Sequence, residues 1–256
     1  MVAGHSSGSP DQSTEHAAYI GCAGWSLSSA AQLHFPEQGS HLERYAAVFN
    51  AVEINSSFYR PHRPATYARW RASVPASFRF SVKMPRTITH QLRLQNCDDA
   101  LLRFLEEAGH LEEKFGCLLV QLPPSLQFDE TVAIRFFDML RSRTNADLVC
   151  EARHRSWFGS AADTILDAFH IARVKADPMI VECDADSHAN IMYARLHGSP
   201  VIYHSTYSDA YLNDLSHELR DHLRNGRRTA WCIFDNTASG AAIPNALSLQ
   251  ARIATW

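Results

Sequence analysis

Along the chain from Tyr19 onward, short apolar runs of period two alternate with longer segments of period near 3.6, the signature of βα units around a parallel sheet. The predicted strands are YIGCAG (19–24), AVEIN (51–55), FRFSVK (78–83), CLLVQL (117–122), DLVCEA (147–152), ARVKAD (172–177), MYARLHG (192–198) and TAWCIFD (229–235). The helical segments between and after them are SHLERYAAVFN, PATYARWRASV, DDALLRFLEEAGHLEEKF, DETVAIRFFDMLRSR, WFGSAADTILDAFH, SDAYLNDLSHELRDHLRN and NALSLQARIATW. Asp98, Asp129, Ser208 and Pro244 serve as cap or first-turn residues. After the sixth strand, PMIVECDADSHAN is too short for a regular helix. Eight units in one run without a linker predict a single-domain (β/α)8 TIM-type barrel over 19–256, because doubly wound sheets usually stop at five or six strands.

Within the strands, alternation assigns side chains to two faces. Val52, Ile54, Phe80, Val82, Cys150, Ala152, Ala194 and Leu196 are expected to face the helices. Glu53, Asn55, Ser81, Lys83, Glu151, Arg153, Tyr193, Arg195 and His197 are expected to face inward. Gln121, Asp177, Asp235 and Asn236 end three further strands, and strand C-terminal ends are where barrel enzymes carry their reacting groups. Charge of this kind is a costly way to fill an interior, so the constellation points to function more than to packing.

Composition narrows the classes. The 256 residues are 46% hydrophobic, with Lys+Arg 24 against Asp+Glu 27 and a net charge of −3, so nothing global attracts nucleic acid or anionic lipid. Residues 1–18 read as a disordered lead-in with neither signal- nor transit-peptide pattern, and no apolar run suits a membrane span. Cys22, Cys97, Cys117, Cys150, Cys183 and Cys232 lack zinc-binding spacing and read as reduced, buried thiols, which implies a soluble, cytoplasmic protein.

Three chemistries suit these residues. Acid/base catalysis would use Glu53, Glu151, His197 and Lys83, with Arg153 and Arg195 holding an anionic or sugar-like substrate that Asn55, Gln121 and Asn236 orient. Asp235, Thr237, Trp25, Tyr59 and Trp157 complete the expected lining, and the small residues of DNTASGAAIPNA suit a phosphate at a helix N-terminus. No cofactor is assigned, and a divalent metal on Glu53, Glu151, His197 and Asp235 is the alternative, giving a phosphoester hydrolase. ECDADSH fails the EF-hand pattern. KMPRTITHQLR and RHRSWF combine basic and aromatic residues as a nucleic-acid groove would, and a non-catalytic binding barrel has the same sequence appearance.

The motifs GCAGW (21–25), VEINSSFYR (52–60), KMPRTITH (83–90), QLPPSL (121–126), EARHRSW (151–157), RLHG (195–198), YSDAYL (207–212) and FDNTASGAAIPNA (234–246) resemble, in order, those of the YecE-like family, domain of unknown function seventy-two. The resemblance implies a TIM-type barrel of mainly bacterial and archaeal occurrence, likened on fold grounds alone to metal-dependent barrels of the endonuclease type, with no established activity to carry over; the chemistries above favour a hydrolase or lyase. The motif residues fall on Glu53, Asn55, Lys83, Arg86, His90, Gln121, Glu151, Arg153, Trp157, Arg195, His197, Asp235, Asn236 and Thr237. The chain departs from the family pattern over 26–40 and 199–206, both expected at the rim.

Overall fold

A computed structural model describes residues 17–181, 190–226 and 229–254. Nine strands are present among them: β1 (Ala17–Cys22), β2 (Ala51–Ile54), β3 (Arg79–Lys83), β4 (Phe115–Gln121), β5 (Asp147–Glu151), β6 (Ile171–Arg173), β7 (Lys175–Asp177), β8 (Ile191–Leu196) and β9 (Thr229–Phe234). Seven helices accompany them: α1 (His41–Ala46), α2 (Pro64–Ala72), α3 (Asp98–Gly109), α4 (Glu130–Arg141), α5 (Ser160–Ala168), α6 (Asp209–Arg224) and α7 (Ala242–Ile253). Of the expected lead-in, 1–16 lie outside the described residues, and Ala17 and Ala18 already belong to β1. Cys183 and the ECDADSH segment also lie outside them.

The local signals act where they were expected. Asp129 accepts from the Val132 amide and Ser208 from the Tyr211 amide, capping α4 and α6. Ser40 and Glu43 form a reciprocal capping box at α1. Pro244 falls in the first turn of α7, where its missing N–H costs nothing, whereas Asp98 is the first residue of α3 and Cys97 occupies its cap position.

The strands form two parallel sheets in the orders β1-β9-β8-β7 and β2-β3-β4-β5-β6, so one closed eight-stranded ladder is not what forms. The expected sixth strand is divided at Val174, whose N–H turns to the Cys150 carbonyl. On one side of it β6 pairs with β5, and on the other β7 pairs with β8. Alternation nevertheless sorted the faces correctly. Val52, Ile54, Phe80, Val82, Cys150, Ala152, Ala194 and Leu196 join the apolar layer packed under the helices. A second cluster, with Ala51, Leu119, Val149, Tyr193, Trp231 and Ile233, draws on both sheets and fills the space they enclose. Gly116 makes room for it, since a Cβ there would stand 2.8 Å from the Trp231 indole.

Between β1 and β2 the ladder is reduced to one bridge, Ala23 to Glu53. Side chains take over the missing bonds. The Asn50 amide accepts from the Ile20 N–H at 2.9 Å and donates to the Ala18 carbonyl at 2.7 Å. The Tyr45 hydroxyl accepts from the Cys22 N–H at 2.8 Å and donates to the Ala51 carbonyl at 3.0 Å. Gly21 permits this approach, because a Cβ there would lie 2.0 Å from the Ala51 oxygen. Among the described residues, no helix is long and apolar enough to cross a membrane.

Tyr45→Phe leaves a buried N–H and a buried C=O without partners, so a loss of about 1–3 kcal/mol is expected in urea unfolding. A variant as stable as the parent would mean that the seam does not rely on this hydroxyl.

Candidate functional site

The inward residues at the carboxyl ends of β2, β3, β5, β8 and β9 meet around one guanidinium. Arg195 is fully buried. Its Nε donates to Glu53 Oε2 at 3.0 Å and its Nη2 to Glu53 Oε1 at 2.8 Å, a two-pronged pair. Nη2 also lies 2.9 Å from Asp235 Oδ2 and Nη1 3.3 Å from Glu151 Oε2. Tyr193 donates to Glu53 Oε2 at 3.1 Å, and Ser81 Oγ stands 2.8 Å from the Tyr193 hydroxyl, tying β3 to β8 across the interior.

His197, two residues along β8 and beyond its last ladder residue, faces the same way. Its Nδ1 is 3.0 Å from Asp235 Oδ2, and its Nε2 is 3.0 Å from Glu151 Oε1 and 2.6 Å from Arg153 Nη2. Arg153 also pairs with Glu151. Asp235 therefore holds the Nδ1 proton. Nε2 faces a carboxylate that favours a proton there and a guanidinium that favours a bare lone pair, which is the balance a proton carrier needs. Burial opposes an imidazolium, but the bonds to Asp235 and Glu151 win and raise its pKa above the ordinary histidine value. Burial likewise opposes the Glu151 charge, but Arg195, His197 and Arg153 hold that carboxyl well below the usual range; at Asp235, burial is likewise outweighed by Arg195 and His197, which lower its pKa.

Lys83 is the exception. It is 5% exposed at the end of β3, yet its ammonium has no ion pair or hydrogen bond among the described residues. It sits 4.3 Å above the centre of the Phe58 ring. Burial first, and the Arg195 charge second, push its pKa down to about 8 against the pull of Glu53, Glu151 and Asp235. Ser57 Oγ reaches both the Ile54 and the Lys83 carbonyls, at 2.8 and 2.6 Å, and so locks the ends of β2 and β3 together. His90 packs edge-on against the same Phe58 ring, and burial together with Lys83 and Arg86 lowers its pKa. Tyr203 sets its ring across His197 at 5.9 Å.

The predicted residues thus divide. Glu53, Lys83, Glu151, Arg153, Arg195, His197 and Asp235 come together. Gln121 stands beside Glu151 in the β4–β5 register, and Asn55 follows β2 with a buried Oδ1 that has no partner. Asn236 serves the loops instead, its Nδ2 donating to the Ser205 carbonyl and to Asn245 Oδ1. Thr237 lies apart from the cluster, lining a cleft of about 390 Å³ with Gly24, Ser26 and Gly240.

Several expectations need correction. Trp157 does not line the site: it is 1% exposed in the core, between Phe128 and Phe137, with its indole donating to the Leu126 carbonyl. Trp25 packs edge-on against Trp70, and Tyr59 stands 69% exposed beside Phe58. Glu53 has both oxygens committed to Arg195 and Tyr193, which suits an anchor and not an acid or base. The metal alternative meets the same obstacle, since Arg195 occupies the centre of its four candidate ligands. No group of three or more such side chains is arranged for a metal among the described residues. The basic segments do not form one free track either, as Arg153 turns into the cluster and Arg93 binds Ser125. Phe58 and Tyr203 were missed as members, although VEINSSFYR contains the first; His90 was singled out only as a motif residue and Tyr193 only as an inward-facing one.

The profile described as "Protein of unknown function DUF72" matches residues 19–255. The chain is 34% identical to the UPF0759 protein YecE of Escherichia coli (strain K12) over 146 residues, 57% of this chain and 52% of that protein. It is 27% identical to the UPF0759 protein YunF of Bacillus subtilis (strain 168) over 158 residues, 55% of this chain and 52% of that one. The chain thus spans about half the length of these curated relatives. A crystal structure of a DUF72 family protein from Thermotoga maritima MSB8 is similar at TM-score 0.79 and 24% identity, covering 93% of this chain and 100% of that one. Another, from Enterococcus faecalis V583, is similar at TM-score 0.78 and 20% identity, covering 93% and 96%.

Glu53→Ala strands the buried guanidinium, and chemical denaturation is expected to register a loss of about 3–5 kcal/mol. A loss below about 1 kcal/mol, as for an exposed pair, would remove Glu53 from the anchoring role. The chain has only three lysines, Lys83, Lys114 and Lys175, so reductive methylation with labelled formaldehyde allows each to be titrated by NMR. The resonance absent from Lys83→Met is expected to titrate at about 8; a midpoint near the ordinary lysine value of about 10.4 would contradict the environment described.

Proposed function

The chain belongs to the DUF72 family of proteins of unknown function, and from that premise we propose that it is an enzyme acting on a small anionic molecule by acid/base chemistry at the carboxyl ends of its strands. The observation that carries the reading is the unpaired Lys83 ammonium beside a cluster whose three carboxylates are already taken. With His197 protonated, Lys83, Arg153, Arg195 and His197 set four positive groups against Glu53, Glu151 and Asp235. A ligand with negative charge completes that balance.

In this reading His197 carries the proton on Nε2, Asp235 fixes its tautomer through Nδ1, and Glu151 is the carboxylate that shares the moving proton. Arg153 is the anion-binding group: its Nε is buried without a partner, a donor left over for a ligand. The unpartnered Asn55 Oδ1 and the neighbouring Gln121 orient polar groups of the substrate. The fold of the proposal is a (β/α)8 barrel in which β6 and β7 are one strand interrupted at Val174, and in which Asn50 and Tyr45 replace the ladder between β1 and β2. A reducing, cytoplasmic setting belongs to the same proposal and accords with the buried, free Cys22, Cys97, Cys117, Cys150 and Cys232.

Thermal unfolding in the presence of short-chain keto acids, sugar phosphates and their uncharged analogues tests the reading. A ligand at 100 times its Kd stabilises by about 2.7 kcal/mol, so anionic compounds should raise Tm by several degrees, neutral ones should not, and Arg153→Leu should abolish the rise. Equal shifts with neutral analogues, or anion-induced shifts that survive Arg153→Leu, would count against it.

A further inference from the structure

Resting on that anionic site, we infer that Lys83 is a nucleophilic amine and that the substrate class is a small carbonyl compound bearing a carboxylate or phosphate, which Lys83 takes up as a Schiff base. The argument begins with geometry. Each carboxylate near Lys83 is held by another cation: Glu53 by Arg195, Glu151 by Arg195, Arg153 and His197, and Asp235 by Arg195 and His197. The amine is left against an aromatic face, and its backbone is pinned by Ser57. A lysine desolvated beside a second cation favours its neutral form, the form that attacks carbonyl carbon. The lowered pKa agrees with this placement.

The step is balanced without an oxidant or reductant. The nitrogen lone pair bonds to the carbonyl carbon while the C=O π pair moves onto oxygen. The nitrogen gives up a proton and that oxygen takes one, with His90, on the same Phe58 ring, placed to carry it. The hydroxyl so formed takes a second proton and leaves as water while the nitrogen lone pair forms the C=N bond, and the iminium gives up its remaining N–H proton, so that amine and carbonyl become imine and water with no net change in protons. Arg153, just past the end of β5 and two strands along the sheet from β3, holds the anionic group.

Full-length protein is incubated at pH 8 with pyruvate, glyoxylate or dihydroxyacetone phosphate and cyanoborohydride, then mapped by peptide mass spectrometry. At that pH an amine titrating near 8 has roughly 100 times the free-base fraction of an ordinary lysine, partly offset by lower nucleophilicity. Reduced adduct is therefore expected at Lys83 about tenfold faster than at Lys175, and faster with pyruvate than with uncharged hydroxyacetone. Lys83→Met should lose the fast phase, and because the map reads all three lysines in the wild-type chain the result does not depend on how that variant folds. Labelling of Lys83 no faster than of Lys175 overturns the inference. If anion-induced stabilisation persists in that case, only the Schiff-base step fails; if it is absent as well, the anionic-site reading fails with it.

Discussion

The buried Arg195 guanidinium constrains every other polar group at the carboxyl ends of the strands. Removing such a charge from water costs several kcal/mol, recovered only if all its donors are met in good geometry. Three carboxylates from β2, β5 and the end of β9 meet them. Each is thereby fixed in place and spoken for, so Glu151 and Asp235 can hold His197 in one orientation. The same full commitment leaves Lys83 without a carboxylate. The unusual amine is a consequence of the arginine, since a cluster with one carboxylate to spare would have paired it.

Beneath this cluster lies an apolar layer from both sheets, with Trp231 and Tyr193 as its largest members and Gly116 shaped to admit the indole. Its dryness matters to the chemistry above. Charges over an apolar floor interact more strongly than charges in water, and they hold fixed positions that solvent would otherwise blur. The floor and the cluster are continuous through Tyr193, whose ring packs against Trp231 and whose hydroxyl supports Glu53. Packing and electrostatics are joined in one residue there.

Much of this was legible because strand alternation is a local property. Glu53, Ser81, Lys83, Glu151, Arg195 and His197 could be placed inside from period alone, since one residue of slip would have buried charge under the helices. What was not legible depends on contacts distant in sequence. Nothing near Asn50 or Tyr45 reveals that their side chains replace a ladder, nor does ARVKAD reveal a break at Val174. Glu53 as anchor rather than acid could not be read, because its role depends on a partner 142 positions away. Trp157 misled for the same reason: it follows a strand, as a pocket residue would, but the core formed by Phe128 and Phe137 claims it.

The 199–206 loop is bound into the candidate site and not merely at its edge. Tyr207 donates to Asp177 and accepts from the Gly198 N–H, while Asn245 holds the Tyr207 amide and the Asn236 side chain. These bonds clamp both ends of the loop. Between them Tyr203 adopts a positive φ of 68°, a costly conformation for a side-chain-bearing residue, and its carbonyl accepts from Ala238. The clamp holds that strained residue with its ring over His197. Substitutions in the loop therefore act on the cover of the His197 imidazole, while the Arg195 cluster below is untouched.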